Sequence, residues 1–131
     1  MILLDTCVLL WLSENPPRLP AGIIQLIRQT PIGKRYVSAI TAFEIGVKYY
    51  QSKLHLPLLP RVWFSETVSA RGLTVLPVNE RIAFRATALP ALHKDPADRI
   101  LIASALEFDL VLLSPDKMIW QYSDVKVQWD K

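Results

Sequence analysis

The sequence is poor in the residues that would point to several common answers. It has one cysteine, four glycines and two histidines in 131 residues. A lone cysteine, Cys7, excludes a disulfide framework and a multi-cysteine zinc site, and it agrees with a reducing compartment. No apolar run approaches the roughly 20 residues that span a membrane. The opening MILLDTCVLLWL is short and contains Asp5, and residues 100–108 are shorter still. No basic region precedes an apolar run, as a secretory signal requires. Repeats, linkers and low-complexity tracts are missing too. What remains is a chain with 51% hydrophobic and 21% charged residues, enough to build a core and too apolar for disorder. A single soluble domain spanning residues 1–131, cytoplasmic and without a membrane partner, is the expectation.

The apolar pattern alternates short runs with longer amphipathic ones. Residues 1–4 (MILL) have no polar face and read as a buried strand. Asp5-Thr6 can cap a helix running to Trp11 or Leu12, which Glu14-Asn15-Pro16-Pro17 then breaks. A helix follows Leu19-Pro20, with Ile23, Ile24, Leu26 and Ile27 along one side. Residues 35–38 read as a second strand, and a helix from Thr41 carries Phe43, Ile45, Val47 and Tyr50. Residues 61–70 form an amphipathic helix ended by Gly72. A third strand at 73–76 precedes a helix capped by Asn79 and running to Leu89. Asp95-Pro96 opens the most apolar helix, to Phe108; strands at 110–113 and 125–127 complete the pattern. Strands alternating with helices predict an α/β domain with a mostly parallel sheet, whose ligands bind beyond the strands' carboxyl ends.

Four of the twelve acids fall at that edge. Asp5 follows the first strand and Asp116 the fourth; Glu44 lies early in the helix after the second strand, and Asp98 in the first turn of the Pro96 helix. Clustered carboxylates suit hard divalent cations, which lower the pKa of water and offset charge on an attacked phosphate. Each acid also has a plainer role. Asp5 can serve as an N-cap, Asp98 as an N3 acid favoured by the helix dipole behind the Asp95-Pro96 cap, and Asp116 as a turn residue. Glu44 is harder to explain away, because Ala42, Phe43, Ile45 and Val47 around it are apolar. The coincidence of four carries the argument.

The stretches LLDTCVLLWL, VSAITAFEIGVKY, LPALHKDPADRILIASAL and LVLLSPDKMIWQY, in that order, resemble the four signature segments of PIN-domain proteins. They look most like the VapC toxins of toxin–antitoxin pairs. The resemblance implies a PIN-like three-layer sandwich, a mostly parallel five-stranded sheet flanked by helices. It implies a Mg²⁺- or Mn²⁺-dependent endoribonuclease that leaves a 5′-phosphate. Its acidic quartet maps to Asp5, Glu44, Asp98 and Asp116, as catalytic and metal-binding residues. Thr6 matches a polar position of the first motif, and the subfamily's DPFDR segment, here DPADR, favours Asp98 over Asp95. Ser-Pro-Asp stands where Thr-x-Asp is more usual.

The net charge is +3, so with the quartet ionised the rest of the chain carries +7, as an RNA-binding surface would. Thr6, Lys94 and Arg99 are candidate substrate contacts, and Arg35, Lys48 and Lys53 are further cations. His93 is read as an exposed loop residue, His55 has no evident partner, and Cys7 reads as a small core residue. Trp11, Trp63 and Phe64 suit either the core or a groove for a second copy or an antitoxin. The expected partners are an RNA substrate, a small VapB-like antitoxin whose tail places an Arg or Lys on the carboxylates, and a second copy in a homodimer. A non-catalytic PIN-fold binding domain competes with this reading, but a scaffold has no use for four mutually repelling acids. A phosphoacceptor domain would want adjacent acids after the first strand; Thr6 follows Asp5 instead.

Overall fold

A computed structural model describes residues 1–129. Five strands and seven helices follow in the order β1 (Ile2–Leu4), α1 (Thr6–Leu12), α2 (Ala21–Gln29), β2 (Arg35–Ser38), α3 (Ala39–Tyr50) and α4 (Pro60–Ala70). Then come β3 (Thr74–Leu76), α5 (Glu80–Ala88), α6 (Pro96–Phe108), β4 (Val111–Leu113), α7 (Lys117–Trp120) and β5 (Lys126–Gln128). The sheet order is β3-β2-β1-β4-β5, and every pairing is parallel. The expected mostly parallel sheet is therefore wholly parallel.

The period of two along each strand divides the core. Ile2 and Leu4 of β1, with Val37 and Leu113, meet Val8 and Leu9 of α1, Ile23 and Ile27 of α2, Ile45 of α3 and Trp63 of α4. Leu3, Leu76 and Leu112 face the other way, against Leu101, Ile102 and Ala105 of α6 and Ile119 of α7. α5 lies outside α6, through Ile82 and Ala86 against Ala103. Helices thus cover both faces of the sheet, which is why the central strands β1 and β4 carry no polar face. Among the described residues, no helix is long and apolar enough to cross a membrane.

Most expected segments appear within two or three residues of their expected bounds. α3 starts earlier, because Ser38 ends β2 and at once caps the helix, its Oγ accepting the Ile40 N–H at 3.0 Å. Gly72 sits just past α4 with φ +64°, the left-handed position that glycine tolerates best. The short α7 was not foreseen. Trp63 is buried in the core, not offered to a partner. The exposed apolar side chains of this region are instead Phe43, Val47 and Tyr50 on α3 and Val62 on α4. Trp11 is half-buried, its ring 6.2 Å from that of Trp129.

Candidate metal centre

β1 lies between β2 and β4. The chain runs from β1 outward to β2 and β3, then crosses back to β4 and β5, so the crevice of this sheet opens at the carboxyl ends of β1 and β4. Leu4 and Leu113 are in register there, and the Asp5 N–H reaches the Leu113 carbonyl at 3.0 Å. Asp5 and Ser114 are the next residues on each strand, so the ladder itself sets them side by side.

Asp5 is buried and fully engaged. Its Oδ1 accepts the Thr6 N–H at 2.7 Å and its Oδ2 accepts the Ser114 hydroxyl at 2.6 Å. Burial raises its pKa above the ordinary range; the Ser114 and Thr6 hydrogen bonds oppose this, and the Asp116 charge adds to it. Ser114 Oγ also accepts the Asp116 N–H at 3.1 Å, tying the turn after β4 to the end of β1. Asp116 caps α7, with Oδ1 accepting the Met118 N–H at 2.9 Å.

Glu44 approaches from the second turn of α3. The Thr6 hydroxyl donates to its Oε1 at 2.6 Å, and that hydroxyl lies 3.0 Å from Thr41 Oγ1. Thr6 has only one hydroxyl proton, spent on Glu44, so Thr41 is the donor of the second bond. Burial raises the Glu44 pKa, while the Thr6 hydrogen bond and Lys48, one turn further along α3, pull it down.

Asp98 occupies the third position of α6. Its pKa is pushed up to about 7, first by burial and then by the charges of Asp5, Asp95 and Glu44. As the sequence indicates, Asp95 caps the helix, its Oδ1 accepting the Ala97 N–H at 2.9 Å, and Asp98, the acid of the first turn, takes no part in that bond. Asp98 meets His93 instead, 2.9 Å from Nε2, and the same Nε2 lies 3.0 Å from Asp116 Oδ2. Burial works against an imidazolium here, but the Asp116 hydrogen bond and the charges of Asp98, Asp116 and Asp95 outweigh it and raise the His93 pKa.

Two sets of donor atoms lie within 4.8 Å of one another among the described residues: Glu44, Asp95 and Asp98, and His93, Asp98 and Asp116. Asp98 belongs to both, and Asp5 acts on it electrostatically. All four acids of the expected quartet thus gather at the predicted edge, with Asp95 beside them. A donor set made almost wholly of carboxylate oxygens fits a hard divalent ion such as Mg²⁺ or Mn²⁺. The raised pKa values are what crowded, partly desolvated carboxylates give without a cation between them.

Several expectations need correction. His93 is no free loop residue: its side chain is 12% exposed and it bridges two acids. Thr6, expected as a substrate contact, is buried, with its hydroxyl engaged by Glu44 and Thr41. Arg99 spends its guanidinium on the carbonyls of Leu89 at 2.9 Å, Pro90 at 3.0 Å and His93 at 3.2 Å. Arg35 likewise clamps the carbonyls of Thr30 at 2.6 Å and Arg71 at 3.0 Å. Both arginines fasten loops and have little left for phosphate. Lys48, Lys53 and Lys94 remain exposed. Cys7 is half-buried against the core, and burial pushes its thiol up to about 12. Sequence reasoning missed Thr41 and Ser114. Thr41 lies three residues before Glu44, on the same helix face, and Ser114 follows β4 as Asp5 follows β1; both signals were present.

Residues 2–124 match the model of the PIN domain. A ribonuclease of Mycobacterium tuberculosis, VapC22, is 29% identical over 119 residues, covering 90% of this chain and 88% of the relative. Two solved structures share the fold. The VapBC2 structure from Rickettsia felis, bound to a DNA fragment from their promoter, aligns with a TM-score of 0.73 at 16% identity, over 99% of this chain and 100% of that one. A toxin–antitoxin complex from Klebsiella pneumoniae aligns with a TM-score of 0.65 at 22% identity, over 95% of each chain.

Proposed function

The chain belongs to the PIN domain family, and from that footing we propose that it is a divalent-metal-dependent endoribonuclease, the toxin of a toxin–antitoxin pair. The observation that carries this reading is the meeting of Asp5, Glu44, Asp98 and Asp116, from four separate segments, at the carboxyl edge of β1 and β4. The name of the ribonuclease relative supports RNA as the substrate. The four carboxylates would hold Mg²⁺ or Mn²⁺, with Asp95 within reach. A bound ion would supply water of lowered pKa and positive charge opposite the phosphodiester oxygens.

The chain's own residues prepare that chemistry. Ser114 and the Thr6 amide fix both oxygens of Asp5, and Thr41, through Thr6, fixes Glu44. Carboxylates locked in this way need no rearrangement when the ion arrives. Lys48, one turn along α3 from Glu44, and Lys94, beside His93, are both exposed and available to attract the RNA backbone.

The antitoxin reading is supported by a groove of about 320 Å³ beside Glu44, walled by Ile40, Phe43, Val47, Pro96 and Ile100. An amphipathic tail fits such a groove, and an Arg or Lys at its end would reach the carboxylates. The exposed apolar residues of α3 and α4 support self-association as a two-fold dimer. The direct test incubates the purified chain with a labelled RNA and MgCl₂. Fragments with 5′-phosphate ends are expected, and none with Asp5→Asn or in EDTA. Intact RNA with the wild-type protein over a range of RNAs, or undiminished cleavage by Asp5→Asn, would end the proposal.

A further inference from the structure

We propose that His93 is a positioning residue, whose Nε2–H donates to Asp116 while standing against Asp98, and so holds the two carboxylates side by side for the divalent ion. The inference rests on the reading of these acids as metal ligands. Asp98 comes from the start of α6 and Asp116 from the turn after β4, and no hydrogen bond joins one to the other. Two like charges drawn together in this way would spread apart unless a donor stood between them. His93 Nε2 is that donor: it hydrogen-bonds Asp116 Oδ2 at 3.0 Å and stands 2.9 Å from Asp98 Oδ2. The tautomer follows from the other side of the ring. Nδ1 accepts the Asp95 N–H at 3.2 Å, so the proton of the neutral imidazole is on Nε2, facing the carboxylates. That arrangement makes His93 a donor to the ligands and not itself a ligand, which would need a bare Nε2.

The backbone behind the ring is held to match. Arg99 binds the carbonyls of Leu89, Pro90 and His93. Tyr122 donates its hydroxyl proton to the Pro90 carbonyl at 2.7 Å, and its oxygen accepts the His93 N–H at 2.9 Å. The loop carrying His93 is thus fixed at both of its faces by side chains from α6 and from beyond α7. A histidine that merely ended a loop would need neither clamp.

The test is Mn²⁺ binding, read by the loss of the free-ion paramagnetic resonance signal, in the wild type, His93→Ala and His93→Gln. The wild type is expected to bind, His93→Ala to bind about tenfold more weakly or worse, and His93→Gln, which keeps a side-chain N–H, to recover most of the loss. Electron spin-echo modulation of the Mn²⁺-loaded wild type should show no coupling to an imidazole nitrogen. Equal affinity of wild type and His93→Ala would overturn the inference, and so would a Gln variant as weak as Ala. An imidazole coupling would overturn it by making His93 a ligand. A wild type that binds no Mn²⁺ would sink the metal reading and this inference with it. Should the Ala variant fail to fold, the Gln variant and the wild-type spectrum decide.

Discussion

Replacing Asp98 with Asn should stabilise the protein when no divalent ion is present. The Asp98 side chain is 13% exposed, and its pKa rises from an ordinary 3.8 to about 7 under burial and the charges of Asp5, Asp95 and Glu44. At about 1.4 kcal/mol per tenfold change in proton affinity, keeping it ionised above pH 7 costs the fold at most about 4 kcal/mol. Solvent on the open side of the cluster screens part of this, leaving about 2 kcal/mol. Asn has nearly the shape of the protonated acid and pays none of it. For a chain of this size that gain corresponds to roughly 6 °C in Tm. The sign of the pH dependence is fixed. Between pH 3.8 and about 7 the folded wild type holds a proton on Asp98 that the unfolded chain has released, so its stability falls as pH rises through that window. Calorimetry in EDTA should therefore find Asp98→Asn more stable at pH 8 and the gap shrinking toward pH 4. With millimolar Mg²⁺ the order should close or reverse, since only the wild type binds the ion fully. An Asn variant no more stable than wild type at pH 8 in EDTA, or an advantage that ignores pH, would refute the reasoning.

Ser114→Ala removes the 2.6 Å bond to a buried carboxylate, and should cost about 1–3 kcal/mol and weaken Mn²⁺ binding roughly tenfold, measured by melting and titration. Thr6→Val leaves Glu44 without its hydroxyl donor and Thr41 without an acceptor; cleavage should drop about tenfold with the fold intact by circular dichroism. Arg99→Lys replaces a fork by a point charge, orphans at least one loop carbonyl, and should lower stability by about 1–3 kcal/mol in urea unfolding. Asp95→Asn keeps a good N-cap and should retain most RNA cleavage, in contrast to Asp98→Asn.

The fold was largely legible because its central strands, β1 and β4, are buried on both faces. Residues such as Leu3 and Leu4, pointing to opposite layers, leave an unbroken apolar run, and the helices between announce themselves by caps at Asp5, Asn79 and Asp95. The acids were legible for a related reason: parallel strands end on one edge, so Asp5 and Asp116 had to meet. What could not be read was the state of each polar side chain. Asp98 is the first-turn acid behind the Asp95 cap, as the sequence indicated, but nothing in the sequence showed that it also meets His93; Arg99 looked like a phosphate contact until the loop carbonyls claimed it. His93 was missed because its partners lie five residues ahead and 23 residues ahead, on elements whose approach depends on the docking of α6 against the sheet. α7 was missed because four residues carry no periodic pattern.

The account turns on whether these acids hold a divalent ion. The most direct measurement is the anomalous scattering of crystals soaked in Mn²⁺. The account expects a peak contacted by the carboxylates of Asp98 and Asp116, with Asp5 or Glu44 beside it, and its loss in Asp98→Asn. A well-ordered site in which Mn²⁺ is absent, or a peak that persists unchanged in Asp98→Asn, would contradict it.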